Sequence, residues 1–164
     1  SNPTGMPTNF ERMIRLAEEF FATKNDPEQL DVTPEVMQQL EQLHPATLSE
    51  EVEGDGPVVW VLLIPTSTAV MNTFLTGEIG ERELLKKSVS LKIFDAVYLC
   101  SALVLPEFRQ QGRAGRVAIS AVKAIQKDHP VKQLFTWPFS TEGERLAEQI
   151  SKQLSLPLLK RYHP

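Results

Sequence analysis

Val104-Leu105-Pro106-Glu107-Phe108-Arg109-Gln110-Gln111-Gly112-Arg113-Ala114-Gly115-Arg116 joins an apolar run, Ala96 to Leu105, to a segment from about Gly112 to Lys127. In that second segment Val117, Ala118, Ala121, Val122 and Ile125 recur at helical spacing. A strand that stops at a proline and turns directly into a helix points several backbone N–H groups outward, and the helix dipole adds partial positive charge there. Such a turn favours an anion. Gly112 and Ala114 lack bulk where a phosphate must approach the backbone, and Gly115 would keep the approach open one residue further. Arg109, Arg113 and Arg116 add formal charge. An ordinary strand-to-helix turn, with Gly112 chosen for backbone freedom, fits the same residues. A dinucleotide fold or P-loop fits less well, because a second glycine at the required spacing and a Gly-Lys-Ser or Gly-Lys-Thr ending are both missing.

Downstream, Val131 to Trp137 is expected to be the next strand and Thr141 to Leu154 a helix with Leu146, Ile150 and Leu154 on one face. Leu156 to Leu159 would add an edge strand. Upstream, the β-branched run Val58 to Ile64, closed by Pro65, suits a strand inside the sheet and covered on both faces. Thr66 or Ser67 then caps a helix carrying Val70, Met71, Phe74 and Leu75, which Gly77 ends before a second helical segment around Glu81 to Lys87. Nearer the start, Phe10, Met13, Ile14, Ala17, Phe20 and Phe21 form the apolar stripe of a helix from about Asn9 to Thr23. A loop from Asn25 to Asp31 follows. Thr33 caps another helix with Pro34 at its first position and Val36, Leu40 and Leu43 inward, ended by His44-Pro45. The acidic stretch Ser49 to Gly56 lacks apolar periodicity and is expected to be an exposed connection and a poor site candidate. The alternation predicts one α/β domain over residues 1–164, with about 1–8 a flexible start outside the packed fold.

The formal charge of −4 argues against a dedicated nucleic-acid binder, which needs a clustered basic surface. Cys100 is the sole cysteine, so no intrachain disulfide can form and a reducing cytoplasm is the expected setting. His44, His129 and His163 lie far apart without metal-ligand spacing, so no metal site is expected. The longest strongly apolar run, Val58 to Ile64, is far short of the roughly 20 residues that span a bilayer, so no membrane partner is expected.

Arg109-Gln110-Gln111-Gly112-Arg113-Ala114, after the strand end and turn Val104-Leu105-Pro106-Glu107-Phe108, resembles the coenzyme-A-binding motif of the GNAT acetyltransferase superfamily. That motif reads Arg or Gln, two residues, Gly, one residue, then Gly or Ala. The resemblance covers about Phe94 to Leu159. It implies a GNAT-like fold: a mixed twisted sheet flanked by helices, with an extra helical N-terminal part and an acyl-CoA-binding core at about 94–159. It implies that Ala96 to Val104 splays from Val131 to Trp137 and that pantetheine lies in the opening against the backbone of Leu103 and Val104. The phosphates would meet Gln110, Gln111, Gly112, Arg113, Ala114 and Gly115. The activity implied is transfer of an acetyl group from acetyl-CoA to an acceptor amine, mostly by positioning. A non-catalytic acyl-CoA-binding or regulatory module and an interaction domain without cofactor are the alternatives. A homodimer is compatible with either.

Members of that superfamily commonly carry a tyrosine on the last helix that protonates the departing thiolate, and Thr141 to Leu154 has none. Tyr98 in the motif strand is the candidate proton donor and Tyr162 a weaker one, but strand propensity favours Tyr98 as a half-buried strand aromatic. No acid lies within Ala96 to Leu105, and Asp95 and Glu107 read as solvated turn residues, which leaves water as the base. Cys100 reads as a small core residue. Trp60, Trp137 and Phe139 are candidates either for an acceptor pocket or for the core.

Overall fold

A computed structural model describes residues 5–24, 29–30 and 33–162. Helix α1, Asn9–Lys24, is followed by α2, Pro34–Leu43. Thr33 caps α2 by accepting the Val36 N–H, with Pro34 in the first turn, where its missing donor costs nothing. Strands β1, Leu48–Glu53, and β2, Gly56–Thr66, form a hairpin. Helices α3, Thr68–Leu75, and α4, Glu81–Ser88, lead to β3, Ala96–Val104. After a 3-10 turn come α5, Arg113–Asp128, then β4, Gln133–Thr136, then α6, Thr141–Leu154, and finally β5, Leu158–Lys160.

The result is an α/β structure with a five-stranded mixed sheet in the order β1-β2-β3-β4-β5. The first three strands pair antiparallel and the last three parallel, each parallel step crossed by a helix, α5 and then α6. One apolar cluster gathers Val59, Val61, Leu63, Val97 and Leu134 with Ala118, Val122, Ile125 and Ile150 of α5 and α6, and also takes in Met13 and Ala17 of α1. A second holds Leu62, Ile64, Tyr98 and Phe135 with Leu40, Phe74, Leu84 and Leu85 of α2, α3 and α4. From Val61 to Ile64 odd and even residues of β2 serve different clusters, as strand alternation requires, whereas Val58 and Trp60, beside the register shift against β1, join the first; this interior strand is buried on both faces as expected from its unbroken apolar run.

Three expectations change. Ser49 to Gly56 is exposed over most of its length, as expected, but is more than a connection: Leu48–Glu53 is an edge strand paired with β2 from Leu48↔Leu62 to Glu53↔Gly56. Backbone bonds make that strand, so its acidic side chains need no apolar alternation. Pro65 does not end β2, which runs to Thr66; β1 pairs no residue beyond Leu62, so proline sits where one side of β2 has no strand. Phe10 and Ile14 are exposed, because the buried line of α1 runs through Met13 and Ala17. Of the expected loop Asn25 to Asp31, residues 25–28 and 31 lie outside the described residues, while Gln29 and Leu30 are buried. Of the two expected caps for α3, Ser67 is the one used, accepting the Val70 N–H. Among the described residues no helix is long and apolar enough to cross a membrane.

Candidate functional site

Two features meet where β3 hands the chain to α5. β3 pairs with β4 at Ala96↔Gln133, Val97↔Leu134 and Tyr98↔Phe135 only, and then runs on from Leu99 to Val104 while β4 ends at Thr136. The Thr136 hydroxyl donates to Leu99 O at 3.3 Å, at the point where the strands part. Beyond it β3 has no β4 partner. The second feature is the start of α5, where no side chain caps the helix and the N-cap is Gly112 at φ 71°. Gln110 also has positive φ, 61°. Two left-handed residues so close together turn the chain sharply and leave the first-turn N–H groups facing outward.

Glycine at 112 has a steric reason besides its φ. A Cβ there would stand 3.1 Å from Arg116 Nη1, which reaches back to donate to Gln111 O at 2.9 Å. Gln110, Gln111 and Gly112 are exposed, and Ala114 is half-buried. Gly115 is buried; a Cβ on it would meet Leu146 Cδ1 at 3.6 Å, so it lies at the contact between α5 and α6. Arg113 is drawn aside. Its guanidinium pairs with Glu51 and, at 3.4 Å, with Glu53, donates to Gln111 Oε1 at 2.8 Å, and lies over the Phe108 ring. Arg109 Nε donates to Val104 O at 2.9 Å, so one of the two expected backbone contact points already has one acceptor lone pair engaged. The side chain of Leu103 is buried. Glu107 is held from the other side by a two-pronged bond from Arg12 of α1, at 2.7 and 2.8 Å, and that hydrogen bond pulls its pKa down to about 2.

On the other side of the parting lies a buried polar group. Tyr98 is fully buried in the second cluster and donates its hydroxyl to Glu81 Oε2 at 2.7 Å. Burial first, and then the Glu81 charge, push its pKa well above the ordinary tyrosine value. Glu81 opens α4 and also accepts the Leu30 N–H, at 3.3 Å, on Oε1. Cys100 Sγ stands 3.6 Å from Glu81 Oε2. The β2–β3 register slips between Leu62↔Ser101 and Leu63↔Leu99, which makes Cys100 the extra residue of a bulge. Arg161, one residue past β5, is sandwiched between the rings of Trp137, 3.7 Å away, and Phe74, 4.7 Å, and donates to Ile79 O.

Sequence reasoning missed Glu81 and Arg161. A signal for Glu81 exists: Glu81, Leu84, Leu85 and Ser88 occupy one helical stripe, and all four are buried. Nothing local marks Arg161. Trp137 is core, Trp60 is half-buried with its indole N–H on Glu50, and Phe139 and Tyr162 are exposed. Asp95 is a capping residue as well as a turn residue, accepting the Thr68 N–H at 2.7 Å. His44 pairs with Asp128, and among the described residues no cluster of His, Cys, Asp or Glu is placed to hold a metal ion. No protein-family model matches the chain, and no curated protein matches it significantly.

Proposed function

We propose that the chain is an acetyl-CoA-dependent acyltransferase with a GNAT-like fold, transferring an acetyl group to an amine. The observation that carries this reading is the parting of β3 from β4 beside the uncapped start of α5. An extended, amide-bearing arm such as pantetheine suits the free side of β3 at Leu103 and Val104, and a pyrophosphate suits the exposed turn from Gln110 to Ala114, with N–H groups pointing outward and Arg116 alongside. Gly115 would then contribute its backbone N–H and its close packing on α6. In this reading the backbone holds and orients the thioester, and the amine attacks its carbonyl carbon without a covalent enzyme intermediate.

Calorimetric titration with acetyl-CoA, coenzyme A and a nucleotide control tests it. Acetyl-CoA at about 100 times its Kd should stabilise the fold by roughly 2.7 kcal/mol. No heat and no melting shift at millimolar acetyl-CoA would reject the site. The second reading, a non-catalytic acyl-CoA-binding module, is favoured by the absence of tyrosine from α6 together with the burial of Tyr98. Binding without turnover across an amine panel would select it.

A further inference from the structure

Of the large apolar side chains left exposed, Val89 at 39% and Ile93 at 66% share the loop 89–95 between α4 and β3. Their surroundings set them apart. Phe10 and Ile14 on α1 alternate with Glu11, Arg15 and Glu18, and Val52 stands between Glu51 and Glu53, whereas Lys86, Lys87 and Lys92 flank Val89 and Ile93. Lys127, in the last turn of α5, and Lys132, whose N–H donates to Asp95 O, belong to the same end of the molecule. Lys87, Lys92, Lys127 and Lys132 are all exposed and make no ion pair among the described residues, while Lys86 stands 4.0 Å from Glu83. Lysines in the last turns of α4 and α5 suit the helix dipoles, but Lys92 and Lys132 lie outside any helix. The loop itself is tied down. Val89 N–H donates to Leu85 O, Leu91 N–H to Ser88 O and Phe94 N–H to His129 Nδ1 at 3.3 Å, with the Phe94 and His129 rings 4.5 Å apart. A fixed backbone therefore holds Ile93 in solvent.

We propose that the loop 89–95 docks the protein on an anionic lipid surface, with Val89 and Ile93 entering the interface and Lys87, Lys92, Lys127 and Lys132 lying over the headgroups. Apolar burial and charge attraction act together in such binding, which needs no spanning helix. Two apolar side chains offer far less than the roughly 800 Å² per partner of a stable protein interface, whereas a bilayer takes up single side chains and adds its own charge. A groove of about 280 Å³ beside the loop, lined by Gln42, Leu43, Lys92 and His129 among others, suits a phosphate or carboxylate headgroup. His129 Nδ1 is already an acceptor, which leaves its Nε2 as the donor. The acids on the same segments are mostly engaged: Asp128 with His44 and Asp95 with the Thr68 N–H, leaving Glu41 of α2 without a partner among the described residues. Gln110 to Gly112 lie at the other end of α5, about 24 Å away along its 16 residues, so docking leaves that turn open and does not depend on the acyl-transfer reading.

The test is co-sedimentation of the full chain with vesicles of phosphatidylcholine alone and with about 30% phosphatidylserine, at low and high salt. Wild type should sediment with the phosphatidylserine vesicles only and be released by salt. Ile93→Ser should weaken binding at least about fivefold. Lys87→Gln with Lys92→Gln, and separately Lys127→Gln with Lys132→Gln, should each weaken it roughly 25-fold, about fivefold per charge. All these side chains are exposed, so the variants should melt as wild type does, and two pairs on separate elements keep the test decisive should one unfold. No binding to phosphatidylserine vesicles at low salt, equal binding to phosphatidylcholine, or wild-type binding by the folded variants would each overturn the proposal. Capture on immobilised polyglutamate without vesicle binding would also overturn it and assign the lysines to an acidic protein partner.

Discussion

Glu51 of the edge strand β1 and Arg113 at the start of α5 form an ion pair across 62 positions of sequence, and Glu53 joins it from the same face of the strand. The pair has a consequence for the proposed anion site. Arg113 carries one of the three formal charges near the turn, and two carboxylates neutralise it. Glu51→Gln with Glu53→Gln should free that guanidinium and tighten acetyl-CoA several-fold at low salt, with the gain shrinking as salt screens it. Because the Arg113 and Glu51 side chains are only 18% and 31% exposed, the stability loss should be about 1 kcal/mol. Calorimetry at two ionic strengths checks this, and weaker binding in the double variant would mean that Arg113 is needed where it stands.

Gly112→Val places a β-branched side chain at φ 71° and drives its Cβ toward Arg116. The backbone strain should lower stability by about 1–2 kcal/mol. On the proposed acyl-CoA reading, acetyl-CoA affinity should fall more than this, by well over tenfold, because the side chain would also enter the space of the phosphate. Equal affinity in the folded variant would show that the turn does not hold the ligand.

Tyr98 gives the protein an alkaline limit. Its pKa is raised in the folded state, so its contribution is complete below the unfolded value of about 10 and is lost as pH climbs toward the folded value. Thermal melts from pH 8 to 11 should fall more steeply for wild type than for Tyr98→Phe. Parallel curves would mean that the phenol ionises as easily in the folded chain as in the unfolded one.

Glu107 acts at the opposite end. Its folded pKa of about 2 lies below the unfolded value, so the Arg12 clamp contributes above about pH 4.3 and fades as pH falls toward 2. Glu107→Gln lacks that contribution from the start, so its melting temperature should lie slightly below wild type at neutral pH and meet it near pH 2. The pair is exposed and salt should narrow the gap; a constant gap down to pH 2 would contradict the clamp.

Local pattern was enough for most elements. Thr33 and Pro34 open α2, Ser67 opens α3, and Val58 to Ile64 lies inside the sheet, because caps, fixed φ and apolar period act over a few residues and leave their mark in sequence. The turn from Gln110 to Gly112 was legible for the same reason: positive φ and the need for no side chain at Gly112 are properties of a short stretch. β1 was not legible, since an edge strand is made by backbone bonds to a neighbour and its glutamates look the same in a loop.

Tertiary structure alone decided the rest of the candidate site. Whether an acid is solvated or buried depends on what covers it, and Glu81 reads as a helix-start acid until Tyr98, Cys100 and Leu30 are brought around it from distant parts of the chain. Arg113 reads as a phosphate ligand until β1 lays Glu51 and Glu53 beside it. The sequence by itself determined where the chain turns and which faces are apolar, because those depend on neighbours in the chain. The charge partners and the gap between β3 and β4 depend on neighbours in space, and only the packed sheet supplies them.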